Sequence, residues 1–121
     1  MPINGRLGTF SYDDVRARGA GHHPVIVTGT FAADQGTLPL GLILAREADG
    51  DYAEYDPEGT APLDTPVAVL DEDLDTTKAT SGLVIIHGSV LLQHLKVGIT
   101  AQAAPDATDL AALRTATIYP E

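Results

Sequence analysis

One apolar stretch in the C-terminal half decides the fold: Gly82-Leu83-Val84-Ile85-Ile86-His87-Gly88-Ser89-Val90-Leu91-Leu92. Its side chains are mostly β-branched or aliphatic and none is an acid, a lysine or an arginine, which is typical of a strand buried on both faces. Gly88 interrupts the run, and an isolated glycine in such a pattern indicates a bulge or a sharp bend. The stretch therefore predicts two strands that meet at Gly88.

Shorter β-prone runs precede this stretch, and turn residues separate them. Residues 25–28 form one run, and residues 66–70 form another that leads into an acidic loop. Between them, Asp49-Gly50-Asp51 separates two extended pieces, residues 42–47 and 52–55. An Asp-Gly pair at this place predicts a β-hairpin, because glycine accepts the positive φ that the turn requires.

Helical signals occur only near the C-terminus. Asp106 is a good N-cap residue, and Leu110 and Leu113 lie three residues apart, on one face of a helix of about two turns. Residues 115–119 are β-prone again and end at Pro120. The sequence therefore predicts a mainly β domain with a short C-terminal helix, α+β only in minor part.

Residues 1–23 differ from the rest of the chain. Their apolar residues occur singly, and neither a period of 2 nor one of 3.6 is sustained. We expect a flexible N-terminal arm at residues 1–23 and a single β-rich domain at residues 24–121. The arm is either a plain disordered terminus or a segment that orders when it lies against a partner.

Composition limits the classes of protein and partner. A chain of 121 residues predicts one domain, and its 5% aromatic content without tryptophan predicts a thin aliphatic core of the kind that a partner subunit often completes. The formal net charge of −10 argues against a nucleic-acid partner. No apolar run approaches the ~18 residues of a membrane span, so we expect no membrane partner and synthesis in the cytoplasm.

An acidic loop is the strongest candidate for chemistry. Asp71, Asp73 and Asp75 alternate as they do in a calcium-binding loop. The sixth position, however, is Thr76 where glycine is required, and the twelfth is Gly82 where a bidentate glutamate is required. We expect a solvated loop that caps the end of a strand.

Histidines and serines give no catalytic pattern either. His22 and His23 are neighbours, so in an extended chain they point to opposite faces and do not chelate one ion. His87 and His94 are expected at strand edges or interfaces, and no serine lies in a nucleophile elbow. We predict no catalytic, cofactor-binding or metal-binding residue, and a protein that is not an enzyme.

The order of four segments resembles the head-decoration protein family of tailed phages, typified by the capsid-stabilising protein of phage lambda. The segments that carry this resemblance are residues 38–44 (LPLGLIL), 51–57 (DYAEYDP), 66–75 (PVAVLDEDLD) and 82–90 (GLVIIHGSV). The resemblance covers about residues 24–119. Each motif is weak alone, and their order and spacing carry the comparison. Residues 1–23 do not align with the family.

The resemblance implies a fold, a role and a partner. The fold is a small compact β-barrel or β-tulip-like domain with a flexible arm, and it needs no cofactor. The role is capsid decoration: a homotrimer at three-fold and quasi-three-fold sites, on the outer surface of the expanded head, stabilises the capsid against internal DNA pressure. The arm would add a strand to the phage major capsid protein. Within residues 1–23 we expect Ile3, Leu7, Phe10 and Tyr12 to be the anchors, because strand addition uses alternate apolar side chains for register.

Two other functions stay open. One is a different structural role in the virion, as a tail or head-completion component or an adaptor. The other is a small trimeric metal-dependent enzyme that uses the carboxylates of residues 71–75. Binding to capsids distinguishes decoration from the first. Replacing Asp73 with Asn would abolish an activity in the second and would be nearly silent in a decoration protein.

Overall fold

A computed structural model describes residues 23–121, which fold around one ten-residue strand. In chain order, they form strands β1 (Val25–Thr30), β2 (Thr37–Leu38), β3 (Ile43–Arg46), β4 (Tyr52–Glu54), β5 (Ala68–Leu70), β6 (Leu74–Asp75), β7 (Ser81–Val90), a 3-10 turn (Leu92–His94), helix α1 (Ala107–Thr115) and strand β8 (Ile118–Pro120). The prediction of a mainly β chain with a short C-terminal helix is confirmed.

The strands within residues 23–121 form two sheets. The larger has the order β1-β7-β5-β3-β4 with antiparallel neighbours, and β8 adds to β7 in parallel. Strands β2 and β6 form a small separate pair. The prediction of a small compact β domain is confirmed. Its sheets do not close into a barrel, because among residues 23–121 the edge strands β1 and β4 are joined by one isolated bridge, between Phe31 and Tyr52, and not by a ladder.

Strand β7 runs through Gly88 without a break, which corrects the prediction of two strands. Before this glycine, His87 pairs with Val25 of β1, and from Gly88 onward the strand pairs with β8, starting opposite Ile118. Gly88 has a φ of 111°, a value that favours glycine. The predicted irregularity therefore takes the form of a change of partner strand.

The hairpin at Asp49-Gly50-Asp51 is confirmed. Strands β3 and β4 pair antiparallel, with Arg46 opposite Tyr52. The Glu47 N–H donates to the Asp51 carbonyl at 2.8 Å, which closes the turn. Gly50 has a φ of 100°, as the Asp-Gly signal requires.

Apolar side chains cover both faces of the larger sheet. Successive side chains of a strand point to opposite faces, so Val84 and Ile85 of β7 belong to two different clusters. The cluster around Ile85 includes Leu113 of α1 and Ile118 of β8, and the other includes Phe31, with side chains from β2 and β6. Burial on both faces explains the uninterrupted apolar run in the sequence.

Helix α1 begins as predicted, after Asp106. The Asp109 N–H donates to Asp106 Oδ1 at 2.9 Å, and the Asp106 N–H donates to Asp109 Oδ2 at 2.9 Å, so both ends of a capping box are made. Leu113 is fully buried on the inner face. The last strand starts at Ile118, later than predicted, because α1 extends through Thr115. No helix in residues 23–121 is long and apolar enough to span a membrane.

Candidate interaction surface

Two large apolar side chains are exposed on the first two neighbouring strands of the larger sheet, one beside the entry of the chain and one opposite Thr28. Strand β1 is an edge strand among the described residues, and it follows directly on residues 1–23. Val25 of β1 is 46% exposed, and Leu83 of the neighbouring strand β7 is 38% exposed. Large aliphatic side chains on two adjacent strands are therefore available to a partner. The expected burial of β7 on both faces is wrong at Leu83.

Four residues were predicted to anchor the arm: Ile3, Leu7, Phe10 and Tyr12. All four lie outside the described residues, so their role stays a prediction. The described chain starts at His23 and Pro24, which lead directly into β1.

Two carboxylates of the acidic loop bind distant main-chain N–H groups. Asp73 is exposed, as expected of a solvated loop, whereas Asp71 is buried. Glu72 Oε2 accepts the Leu83 N–H at 2.7 Å. Asp73 Oδ1 accepts the Leu40 N–H at 2.7 Å. Each of these side chains joins the loop to a distant main-chain segment and satisfies a donor there. The carboxylates thus have a structural use that the spacing of residues did not reveal.

Asp75 belongs to the same loop and accepts two local hydrogen bonds. Its Oδ1 atom receives the Thr77 hydroxyl at 2.6 Å and the Thr77 N–H at 3.0 Å. These hydrogen bonds lower the pKa of Asp75, the hydroxyl contributing most. The arrangement is an Asx turn, which fixes the chain after β6.

No group of three or more His, Cys, Asp or Glu side chains in residues 23–121 is placed to hold a metal ion. His87 is half-buried on β7, and its ring lies edge-on to Tyr119 with a centroid distance of 6.3 Å. His94, which was predicted at a strand edge or an interface, lies in the 3-10 turn, and its place at an interface stays a prediction. The structure does not bring the two histidines together with carboxylates at a metal-binding site.

A buried polar pair joins the loop after β4 to helix α1. The Tyr55 hydroxyl donates to Asp109 Oδ1 at 2.7 Å, and the two residues are 3% and 5% exposed. Burial, followed by the hydrogen bond and the negative charge of Asp109, raises the pKa of Tyr55. The sequence indicated the helix cap, but nothing in it indicated that Tyr55 would meet Asp109 across 54 positions.

An open groove lies between the loop after β4 and residues 97–103. It has a volume of about 490 Å³, and Glu54, Asp56 and Glu58 give it an acidic wall. Glu54 Oε2 accepts the Ile99 N–H at 2.6 Å, so this carboxylate holds the opposite wall in place.

Comparison with known protein families identifies the chain. The family model of the bacteriophage lambda head decoration protein D matches residues 13–118. The chain belongs to this family. The resemblance drawn from the four segments is thereby confirmed, and the match also takes in residues 13–23, which the sequence comparison could not align. No curated protein matches the chain significantly.

Membership places this head decoration protein in the phage capsid. The family is one of structural capsid proteins. Val25 of β1, beside the start of the described chain, and Leu83 of β7, opposite Thr28, are its candidate contact residues. The carboxylates of Glu54, Glu72, Asp73 and Asp75 accept hydrogen bonds within the chain and so stabilise its fold.

Proposed function

We propose that this protein is a homotrimeric cement of the phage head. Three copies occupy each three-fold and quasi-three-fold site on the outer surface of the expanded capsid and bridge neighbouring capsomers. Residues 1–23 form the arm, residues 24–121 form the body, and the arm pairs its main chain with the major capsid protein. The bridges oppose the internal pressure of packaged DNA. Before assembly, the protein resides in the host cytoplasm.

The position of β1 is the observation that carries this proposal. Strand addition requires an extended segment with free main-chain donors and acceptors, and a sheet edge supplies them. Strand β1 is such an edge among the described residues, and the arm is its direct continuation along the chain. An arm that binds a capsid strand would therefore be joined to the larger sheet of the body without an intervening linker.

The distribution of charge also favours attachment through the arm. Residues 1–23 contain three of the seven basic residues, Arg6, Arg16 and Arg18, but only two of the 17 acidic ones, Asp13 and Asp14. The body carries the remaining acidic residues and is strongly negative. The negative charge of the body keeps the protein soluble, and the arm, which has more basic than acidic residues, does not share that charge.

Two features support trimerisation: the low aromatic content, which predicts a thin core, and the exposed aliphatic side chains. Val25, Leu83 and Leu92 are 46%, 38% and 40% exposed, respectively, in the single chain. Covering such side chains at a subunit contact contributes roughly 25 cal/mol per Å² of apolar surface. Three arms on one trimer bind together, so contacts that are weak singly give stable attachment.

Sedimentation with expanded, undecorated capsids tests the proposal. We expect the full chain to bind and to raise the temperature at which the capsids break. A chain that lacks residues 1–20 should fold and keep the mass of a trimer, yet no longer sediment with capsids. A full chain that does not bind capsids would favour another structural role in the virion, and a truncated chain that fails to fold would place the arm in the core.

Substitutions in the arm give a sharper version of the same test. Replacing Ile3, Leu7, Phe10 and Tyr12 together with Ser should weaken capsid binding by at least about tenfold, because register in strand addition depends on alternate apolar side chains. The matched control replaces Thr9 and Ser11, which lie in the same stretch, with Ala. Equal binding by the two variants would exclude the four anchors.

A further inference from the structure

Gly88 makes the closest approach between the body and the start of the described chain. A methyl group built on its Cα would lie 2.5 Å from the His23 carbonyl oxygen, 2.7 Å from the Pro24 Cα and 2.8 Å from the His23 carbonyl carbon. All three contacts are with main chain, so no side-chain rotation would relieve them. The chain segment that enters β1 thus lies directly against a bare point on β7.

Strand β7 is held in place at Gly88 by its contacts with β8 and with the residue before that strand. On the same residue, the Gly88 N–H donates to the Thr117 carbonyl at 3.0 Å, and Gly88 pairs with Ile118 of the parallel strand β8. Gly88 is buried, and its φ of 111° strains any L-residue with a side chain. The site therefore fixes three segments at once: the entry to β1, the middle of β7 and the start of β8.

From this geometry we infer that Gly88 is a positioning residue for the arm. The bare Cα lets the main chain of His23 and Pro24 lie against β7, and this contact fixes the point at which the arm joins the body. This inference rests on the proposed function, because a fixed starting point matters only if the arm has a fixed target. If the starting point of each arm is fixed in all three subunits, each arm loses less conformational entropy when it binds the capsid.

Pro24 contributes to the same effect. Its ring fixes φ near −65°, and it lacks a main-chain N–H, so it holds the exit without requiring a hydrogen-bond partner. Pro24 immediately precedes β1 and lies outside both core clusters. A change at this residue alters the freedom of the arm and leaves the packing of the body intact.

The test compares two glycine variants of the full chain, Gly88→Ala and Gly41→Ala. Gly41 is the matched control, because its φ is 87° and an added methyl group would lie 1.9 Å from the His94 carbonyl oxygen and not against His23 or Pro24. Both variants are assayed on expanded, undecorated capsids at a temperature at which circular dichroism shows them folded. We expect Gly88→Ala to bind at least about tenfold more weakly than Gly41→Ala. Equal binding by the two folded variants would overturn the inference.

A second variant decides the matter if either glycine variant does not fold. Pro24→Gly should leave the melting temperature of the body unchanged and still weaken capsid binding severalfold. Unchanged binding by Pro24→Gly would also overturn the inference. A readout without capsids separates this outcome from failure of the proposed function: the nuclear Overhauser effect between the Hα protons of Gly88 and Pro24 reports the contact directly. Its absence in the wild-type protein would remove the inference whatever the capsids do.

Discussion

The Tyr55 hydroxyl donates a 2.7 Å hydrogen bond to Asp109, and both side chains are almost completely buried. Asp109 also closes the capping box of helix α1 through its second oxygen. One carboxylate thus joins the loop after β4 to the first turn of the helix. Since α1 covers one face of the larger sheet, this pair fixes the position of the C-terminal segment on the body.

Removing the Tyr55 hydroxyl should destabilise the protein. Tyr55→Phe leaves the buried Asp109 carboxylate short of one donor, and such a loss costs about 1–3 kcal/mol. Urea unfolding followed by circular dichroism measures the change. The control is Tyr52→Phe. This change removes the hydroxyl of a buried tyrosine in the other core cluster, and that hydroxyl makes no hydrogen bond with any of the described residues. An equal loss in the two variants would contradict a special role for the Tyr55–Asp109 pair.

Alkaline pH should destabilise the wild-type protein more than the Tyr55→Phe variant. The pKa of Tyr55 is raised in the folded state, mainly by burial and then by Asp109. The folded protein therefore keeps the proton that the unfolded chain releases near its ordinary pKa of about 10. This contribution to stability is complete below about pH 10 and declines as the pH rises further. Melting temperatures between pH 8 and about 11 should fall more steeply for the wild type; parallel curves would refute this prediction.

Acidic pH should remove the contribution that Asp75 makes to the free energy of unfolding. Hydrogen bonds from Thr77 lower its pKa in the folded state. A group of this kind stabilises the fold above its unfolded pKa of about 4, and the contribution is lost as the pH falls through the lower folded value. Urea midpoints between about pH 5 and pH 2 should therefore decline less for Asp75→Asn than for the wild type. The same slope in both proteins would be evidence against the Thr77 interaction.

Removing the helix cap should loosen the C-terminal segment. Asp106→Ala eliminates the acceptor of the Asp109 N–H and should cost about 1 kcal/mol of unfolding free energy. Thr108→Ala provides the control, because Thr108 is exposed in the same turn and caps nothing. Hydrogen exchange of the α1 amides measures the local effect. If the two variants exchange alike, the capping box contributes little.

The elements that local signals specify were predictable from the sequence. The Asp-Gly turn gave the β3–β4 hairpin, the cap at Asp106 gave the start of α1, and the apolar run of residues 82–92 gave the central strand. The continuation of β7 through Gly88 was not predictable, because it depends on pairing with β8. That strand starts only at Ile118, 28 residues after β7 ends at Val90. Periodicity in one segment carries no information about a partner that arrives later.

The role of the carboxylates was also beyond local reading. Glu72 and Asp73 look like surface charges in the sequence, but tertiary contacts bring the N–H groups of Leu83 and Leu40 to them. Thr76 and Gly82 argued against a calcium loop, but the sequence did not indicate what the carboxylates bind instead. The buried partner of Tyr55 likewise became visible only once the helix was placed against the sheet.

A reconstruction of expanded capsids by electron cryomicroscopy, after incubation with the full chain, tests the central claim most directly. The account predicts three copies around each three-fold and quasi-three-fold axis, each with its arm paired to a strand of the major capsid protein and with His23 and Pro24 in contact with Gly88. Bare axes, or copies bound singly at another position with the arm folded back on its own body, would contradict it.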